Sequence, residues 1–156
     1  QRRRRDLEAR TVDVMRLGEM QPERDHGFQG ERSVPNHYND QPCRDARNGG
    51  WFSFAVQVLP DRPVALAATY WGSEETHRAF DILVEGTRIA TQTLERNRPG
   101  AFFVETYPIP VELTRGKEKV VVKFQAHEGK TAGRVFECRV VRPAETAPAG
   151  DGAGTK

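Results

Sequence analysis

The sequence predicts an antiparallel all-β fold, a two-sheet sandwich of jelly-roll type. Three observations predict it. Apolar residues recur with period two, and almost no segment has a helical period. Glycine and proline turns interrupt the alternation at short intervals. No spacing suits a strand–helix–strand unit, which excludes a parallel sheet. A chain of 156 residues is long enough for one domain with its own core.

The elements follow in order. Residues 1–10, QRRRRDLEAR, form a basic tail or the remnant of a preceding domain. Val12, Val14 and Arg16 alternate with Asp13, Met15 and Leu17, a first strand. Residues 18–50 are polar and show no strong pattern, so they are expected as a long loop. From Trp51 the alternation is plain, with Phe52, Phe54, Val56 and Val58 on one face. Pro60 to Pro63 turns the chain. Val64, Leu66, Ala68 and Tyr70 then share a face, with Trp71 on the other. Phe80, Ile82 and Val84 lead to a two-residue hairpin turn at Glu85-Gly86, and Ile89, Thr91 and Thr93 return antiparallel.

A further strand runs from Phe102 to Ile109, where Pro108 and Pro110 exclude a central ladder position. Residues 111–118 make a short link with one helical turn. Val120, Val122, Phe124 and Ala126 are the next core face, and residues 135–141 the last strand. Residues 143–156 read as a flexible C-terminal tail. The domain proper is therefore expected over residues 11–142, with about eight strands.

Composition narrows the function classes. The chain is 37% hydrophobic and 29% charged, with a net charge of +2. No apolar run approaches the roughly 18 residues of a membrane span. The first ten residues carry no apolar segment of the signal-peptide kind. Arg2 to Arg5 form a basic run, but no aromatic residues interleave with it to stack on bases, so nucleic acid is not an expected partner. Cys43 is placed in a loop and Cys138 in a strand as a small core residue, and two cysteines make no disulfide framework.

The stretch RDARNGGWFSFAVQV, residues 44–58, sets charged residues against an aromatic strand. Gly49-Gly50 allows a tight turn ahead of Trp51. Sugar rings stack their C–H faces on aromatic side chains, and Asp, Asn and Arg bind sugar hydroxyls. Candidate ligand residues are therefore Trp51, Trp71 and Tyr70 with Arg44, Asp45, Arg47 and Asn48. The competing reading seats both tryptophans in the core. It has Arg44–Asp45 or Arg47–Asp81 pairs ordering the loop.

Other chemistry is weaker. His26, His37 and Cys43 lack the tight spacing of a zinc site, and no metal site is assigned. Glu31, Asp45 and Asp81 are weak calcium candidates that match no fixed loop spacing. Glu23, Asp25 and His26 in PERDH offer an acid/base cluster, and glycoside hydrolysis needs two carboxylates about 5–10 Å apart. The favoured alternative is that ERDH pins the 18–50 loop through Arg–carboxylate hydrogen bonds. The sequence holds no GxSxG motif and no glycine-rich phosphate loop.

Residues 49–142 resemble the galactose-binding-like jelly rolls among carbohydrate-binding modules. The likeness rests on GGWFSFAVQV, ALAATYWGS, FDILVEGTRIA and LTRGKEKVVVKF. GEMQPERDHGFQGERS, TYWGSEETHRAFDILVEGTRIATQTL, YPIPVELTRGKEKVVVKFQAHEGKTAG and VFECRVVR are more closely similar to the C-terminal β-sandwich of bacterial proteins related to glycoside hydrolase family 127, which are β-L-arabinofuranosidase-like enzymes. That family's zinc, cysteine nucleophile and glutamate lie on a separate α/α barrel, so no catalytic residue carries over. The resemblance implies a non-catalytic accessory domain, periplasmic or secreted, that either packs on a catalytic domain of the parent chain or helps hold oligosaccharide. It allows a structural calcium ion. An autonomous carbohydrate-binding module, and a small independent enzyme using the 18–50 loop, are the alternative readings.

Overall fold

The computed structural model describes residues 2–75 and 77–143. Nine strands and two short α-helices follow in the order α1 (Arg2–Ala9), β1 (Thr11–Arg16), α2 (Met20–Asp25), β2 (Gln29–Tyr38), β3 (Gln41–Gln57), β4 (Val64–Trp71), β5 (Arg78–Val84), β6 (Thr87–Leu94), β7 (Phe102–Ile109), β8 (Lys119–Ala126) and β9 (Ala132–Val141). All the strand pairs are antiparallel. The strand order along the path is β6-β5-β8-β3-β9-β4-β7, with β1 also on β9 and β2 on β3.

That path folds into two layers because β3 serves both. Its second half, Trp51 to Gln57, pairs with β8, which pairs with β5 and so with β6, giving sheet I. Its first half pairs with β9 at Arg44 and Ala46. With β4, β7 and β1 this makes sheet II. Burial alternates accordingly. Phe52, Phe54, Ile82, Val122 and Phe124 from sheet I meet Leu66, Tyr70, Phe103, Cys138 and Val140 from sheet II in one core. Phe124 is its aromatic centre, stacked on Phe52 at 5.1 Å and on Phe54 at 6.2 Å.

The two-sheet jelly roll is as expected, and Val64, Leu66, Ala68 and Tyr70 do share the core face opposite Trp71. The hairpin turn at Glu85-Gly86 has both residues at positive φ, 52° and 80°, the geometry of a two-residue hairpin. Pro108 lies on β7, an end strand of the path. Two residue ranges differ. Residues 18–50, expected as a loop, hold α2 and the hairpin of β2 with the first part of β3, Gln41 to Gly50. This hairpin arm is wet along most of β2, so no apolar alternation marks it. Cys43 accordingly sits inside β3, buried, not in a loop. Residues 2–9, expected as a tail, form α1, which is tied to the sandwich where Arg10 Nη1 donates to the Arg142 carbonyl at 2.7 Å. Of the expected C-terminal tail, residues 144–156 lie outside the described residues.

Candidate functional site: an aromatic strip and groove on sheet II

The stretch from Arg44 to Gly50 is the corner at which β3 leaves one sheet for the other. Asn48 and Gly49 take left-handed conformations with φ of 52° and 76°. Gly50 is obligatory because a Cβ there would lie 2.5 Å from the Glu31 carbonyl oxygen. Arg32, opposite this corner on β2, also has positive φ, at 53°, beside a break in register. Trp51 therefore does not open a strand. It follows a bend within one.

The corner side chains separate into two groups. Arg44 turns inward: its Nε and Nη2 donate to the two carboxylate oxygens of Glu23 at 2.8 and 2.9 Å, and its Nη1 donates to Ser33 Oγ at 3.0 Å. The guanidinium also lies over Phe28, 4.2 Å from the ring centroid. Arg44 thus fastens α2 to the hairpin. This is the Arg–carboxylate pinning expected of ERDH, with Arg44 as the arginine. The expected partners of the corner were different: Arg44 pairs with Glu23 and not with Asp45, and Asp81 bonds His127 and Thr91 and not Arg47.

Asp45 begins the second group. It is 2% exposed, and its Oδ1 has no hydrogen-bond partner among the described residues. Arg47 Nε lies 3.5 Å from Oδ1 and Arg78 Nη1 lies 3.9 Å from Oδ2. Arg78 also reaches buried Glu74 at 3.2 Å, and Arg134 reaches the other Glu74 oxygen at 3.3 Å. The Arg134 guanidinium stands 4.8 Å from the Tyr38 ring centroid. From there the contacts become aromatic. Tyr38 meets Trp71 at 5.4 Å, Trp71 meets Phe102 at 4.9 Å, and Phe102 meets Phe136 at 4.9 Å. Burial pushes the Cys43 thiol beside this network up to about 11, with Arg134 pulling the other way.

The aromatic strip crosses the outer face of sheet II at the end where the strand loops gather. Tyr38 is 38% exposed and Phe102 37%. Beside the strip run two cavities of about 510 and 360 Å³. They share Arg4, Thr69, Phe102 and Glu137 in their walls, so they are two chambers of one groove between α1 and the sheet.

Other sequence candidates do not join this site. Tyr70 has no exposed surface, and its hydroxyl is bonded to that of Tyr107 at 2.8 Å, which in turn donates to Gln92 at 2.6 Å. A ring so enclosed presents no face to a ligand. Trp51 projects from the outer face of sheet I, the opposite side of the sandwich from Trp71, with Lys123 Nζ 4.7 Å from its ring centroid. Asn48 is exposed at the bend. Among the described residues, no three His, Cys, Asp or Glu side chains gather as a metal site. Glu31 is exposed on β2, Asp45 is enclosed at the corner, and Asp81 accepts from Thr91 at 2.7 Å and bonds His127 at 2.9 Å. The zinc set fails on the same ground, since His37 is exposed and His26 bonds Asp13 at 3.2 Å. Asp25 accepts from Gln21 at 2.8 Å while Glu23 is held by Arg44, so the PERDH acids do not face each other across a cleft.

Sequence reasoning missed Tyr38, Glu74, Phe102, Arg134 and Phe136. Tyr38 stood in a polar run, and Phe102 and Phe136 stood in strands whose outer faces read as ordinary.

Comparison with known proteins agrees with the fold. A profile described as a family of unknown function, DUF6805, matches residues 6–141. No curated protein matches the sequence. Among solved structures, a family 35 carbohydrate-binding module from an environmental isolate superposes with a TM-score of 0.63 at 12% identity, covering 84% of this chain and 93% of that one. The family 35 module of Cellvibrio japonicus Abf62 gives 0.61 at 12% identity, covering 82% and 91%. An exo-β-1,3-galactanase from Phanerochaete chrysosporium with bound β-1,3-galactotriose gives 0.59 at 10% identity, covering 81% of this chain and 28% of that one. At these identities the likeness is one of fold.

Proposed function

Because the chain belongs to the DUF6805 family of unknown function, we propose a role that rests on its site: a non-catalytic domain that binds carbohydrate on the outer face of sheet II. One observation carries this. Tyr38, Trp71 and Phe102 form a continuous, partly exposed aromatic strip beside a groove with guanidinium and carboxylate walls. Aromatic faces stack on the C–H faces of sugar rings, and the flanking Arg, Glu, Thr and Gln groups bond hydroxyls in both directions. Trp71 is the central platform. Arg47 and Asn48 stand at the exposed rim of the corner.

The accessory role is the finer part of the proposal. The domain works beside a catalytic domain of a glycoside hydrolase-like parent, periplasmic or secreted, as the resemblance to the family 127 sandwich implies. Support comes from the galactanase, of whose chain the matched region is only 28%. The buried acids support a binding role over a hydrolytic one: Glu23, Asp45 and Glu74 each lie against arginine.

The test is affinity electrophoresis against plant and bacterial polysaccharides, comparing the wild type with Trp71→Ala and Phe102→Ala. Both variants are expected to lose retention and keep their fold by circular dichroism. Unchanged retention would reassign the strip to packing against the parent.

A further inference from the structure

The groove has a direction, and the direction says which part of a glycan it takes. It crosses sheet II from β7, at Val104 and Thr106, over Thr69 of β4 and Glu137 of β9. It leaves between Arg16 at the end of β1, Glu19 ahead of α2, and Gln41 on the hairpin. That path spans three strand spacings, about 14 Å. A pyranose unit is about as long as one such spacing of about 5 Å. Each chamber alone, at about 510 and 360 Å³, exceeds the roughly 300 Å³ at which small-molecule sites begin. The two adjoin through Arg4, Thr69, Phe102 and Glu137, so the path continues from one into the other.

The charges lining it are of both signs and nearly balanced. Among the described residues, four arginines (Arg4, Arg10, Arg16 and Arg98) face three carboxylates (Asp6, Glu19 and Glu137). Arg10 holds Asp6 at 3.0 Å, Arg139 holds Glu137 at 2.7 Å, and Arg4 holds Glu8 at 3.2 Å. Arg16 lies 4.0 Å from Glu137 and Arg98 stands on the β7 side, but a polyanion would still meet Asp6, Glu137 and Glu19 in turn along the path. A hydroxyl-rich neutral chain meets donors and acceptors in alternation. Phe102, shared by both chambers, gives an apolar face midway.

We infer that the groove binds an interior stretch of a neutral polysaccharide, two or more sugar units laid across the strands, and not a chain terminus. This rests on the carbohydrate-binding reading of the same surface. The test is calorimetric titration with neutral xylo-, galacto- and gluco-oligosaccharides of one to six units, each with its reducing end intact and borohydride-reduced. Affinity should rise about tenfold or more between one and three units in the series that binds, then level off, and end reduction of the longer members should leave it unchanged. Thr69→Trp, which fills the waist of the groove, should bring the long oligosaccharides down to the affinity of the monosaccharide. Val121→Trp on sheet I, with the same gain in bulk on an exposed strand position, should not. Equal affinity for one unit and six, loss of binding on end reduction, or preference for uronate-bearing oligosaccharides would overturn the inference while leaving carbohydrate binding intact. Silence across every series and polysaccharide would overturn both.

Discussion

Each sheet of this sandwich displays one tryptophan on its outer face, and the two are not alike. Trp51 on sheet I has a lysine ammonium over its ring and polar neighbours across the strands: Glu31 and Gln125 stand directly beside it in register. Gln125 is itself occupied, donating to the carbonyls of Gly49 and Gly50 at the corner. Trp71 on sheet II has aromatic neighbours on two sides, Tyr38 and Phe102, and Phe102 in turn lines the groove. A tryptophan on a sheet face is thus a poor indicator of a binding site by itself. What distinguishes the two is supplied by other strands. β7 and the β2–β3 hairpin extend one aromatic side chain into a strip, while β8 covers the other with a lysine.

The contrast can be tested from its strongest expected effect downward. Adjacent residues of β4 should behave as opposites: Tyr70→Ala should cost about 3–5 kcal/mol in urea unfolding, and Trp71→Ala less than about 1.5 kcal/mol. Comparable losses would place Trp71 in the core. Glu23→Ala leaves the Arg44 side chain, 11% exposed, without its partner and should cost about 3 kcal/mol. It should act through the hairpin, so that early proteolysis falls within residues 18–50. In binding, Trp71→Ala should weaken retention by the carbohydrate about tenfold or more, and Trp51→Ala should leave it unchanged. The reverse pattern would move the site to sheet I.

Two further effects depend on pH and on chemical access. Burial raises the Tyr70 hydroxyl well above the usual 10.0, and Tyr107 is raised likewise. The folded state therefore favours the neutral phenols. Their contribution is complete below pH 10 and is lost as the pH climbs above it, when the unfolded chain ionises first. Alkaline unfolding followed by circular dichroism should begin above pH 10, and the double variant Tyr70→Phe, Tyr107→Phe should flatten the slope. The smallest expected effect is on thiol labelling. With Cys43 at about 11 and Cys138 raised well above 9.0, both buried, iodoacetamide at pH 8 should modify neither until denaturant is added.

Much of this architecture is legible in the chain. A strand with one face in the core must alternate, and residues 80–84 and 119–126 do so on the buried side, as do residues 64–71 apart from buried Ala67 on the other face. Turn chemistry is local too: Glu85-Gly86 and Pro108 declare a hairpin and an edge through backbone constraints alone. The arm from residue 29 to 46 was not legible, because pattern reading needs a dry face and most of β2 has none. The candidate site was legible at Trp71, with Asp45 and Arg47 at the corner that leads to it. Its other members lie on separate strands and meet side by side only once register is set.

The sequence alone therefore determined the strand class, the core side of each clear strand, and the glycine-dependent bend at residues 48–50. These follow from period, from burial and from the absence of a Cβ, which are properties of neighbouring residues in the chain. Tertiary structure alone decided that Arg44 clasps Glu23, that Tyr70 is sealed while Trp71 faces out beside Tyr38 and Phe102, and that Trp51 lies on the opposite surface. Those outcomes depend on which strand neighbours which, and hydrogen-bonded pairing between distant segments leaves no trace in local pattern.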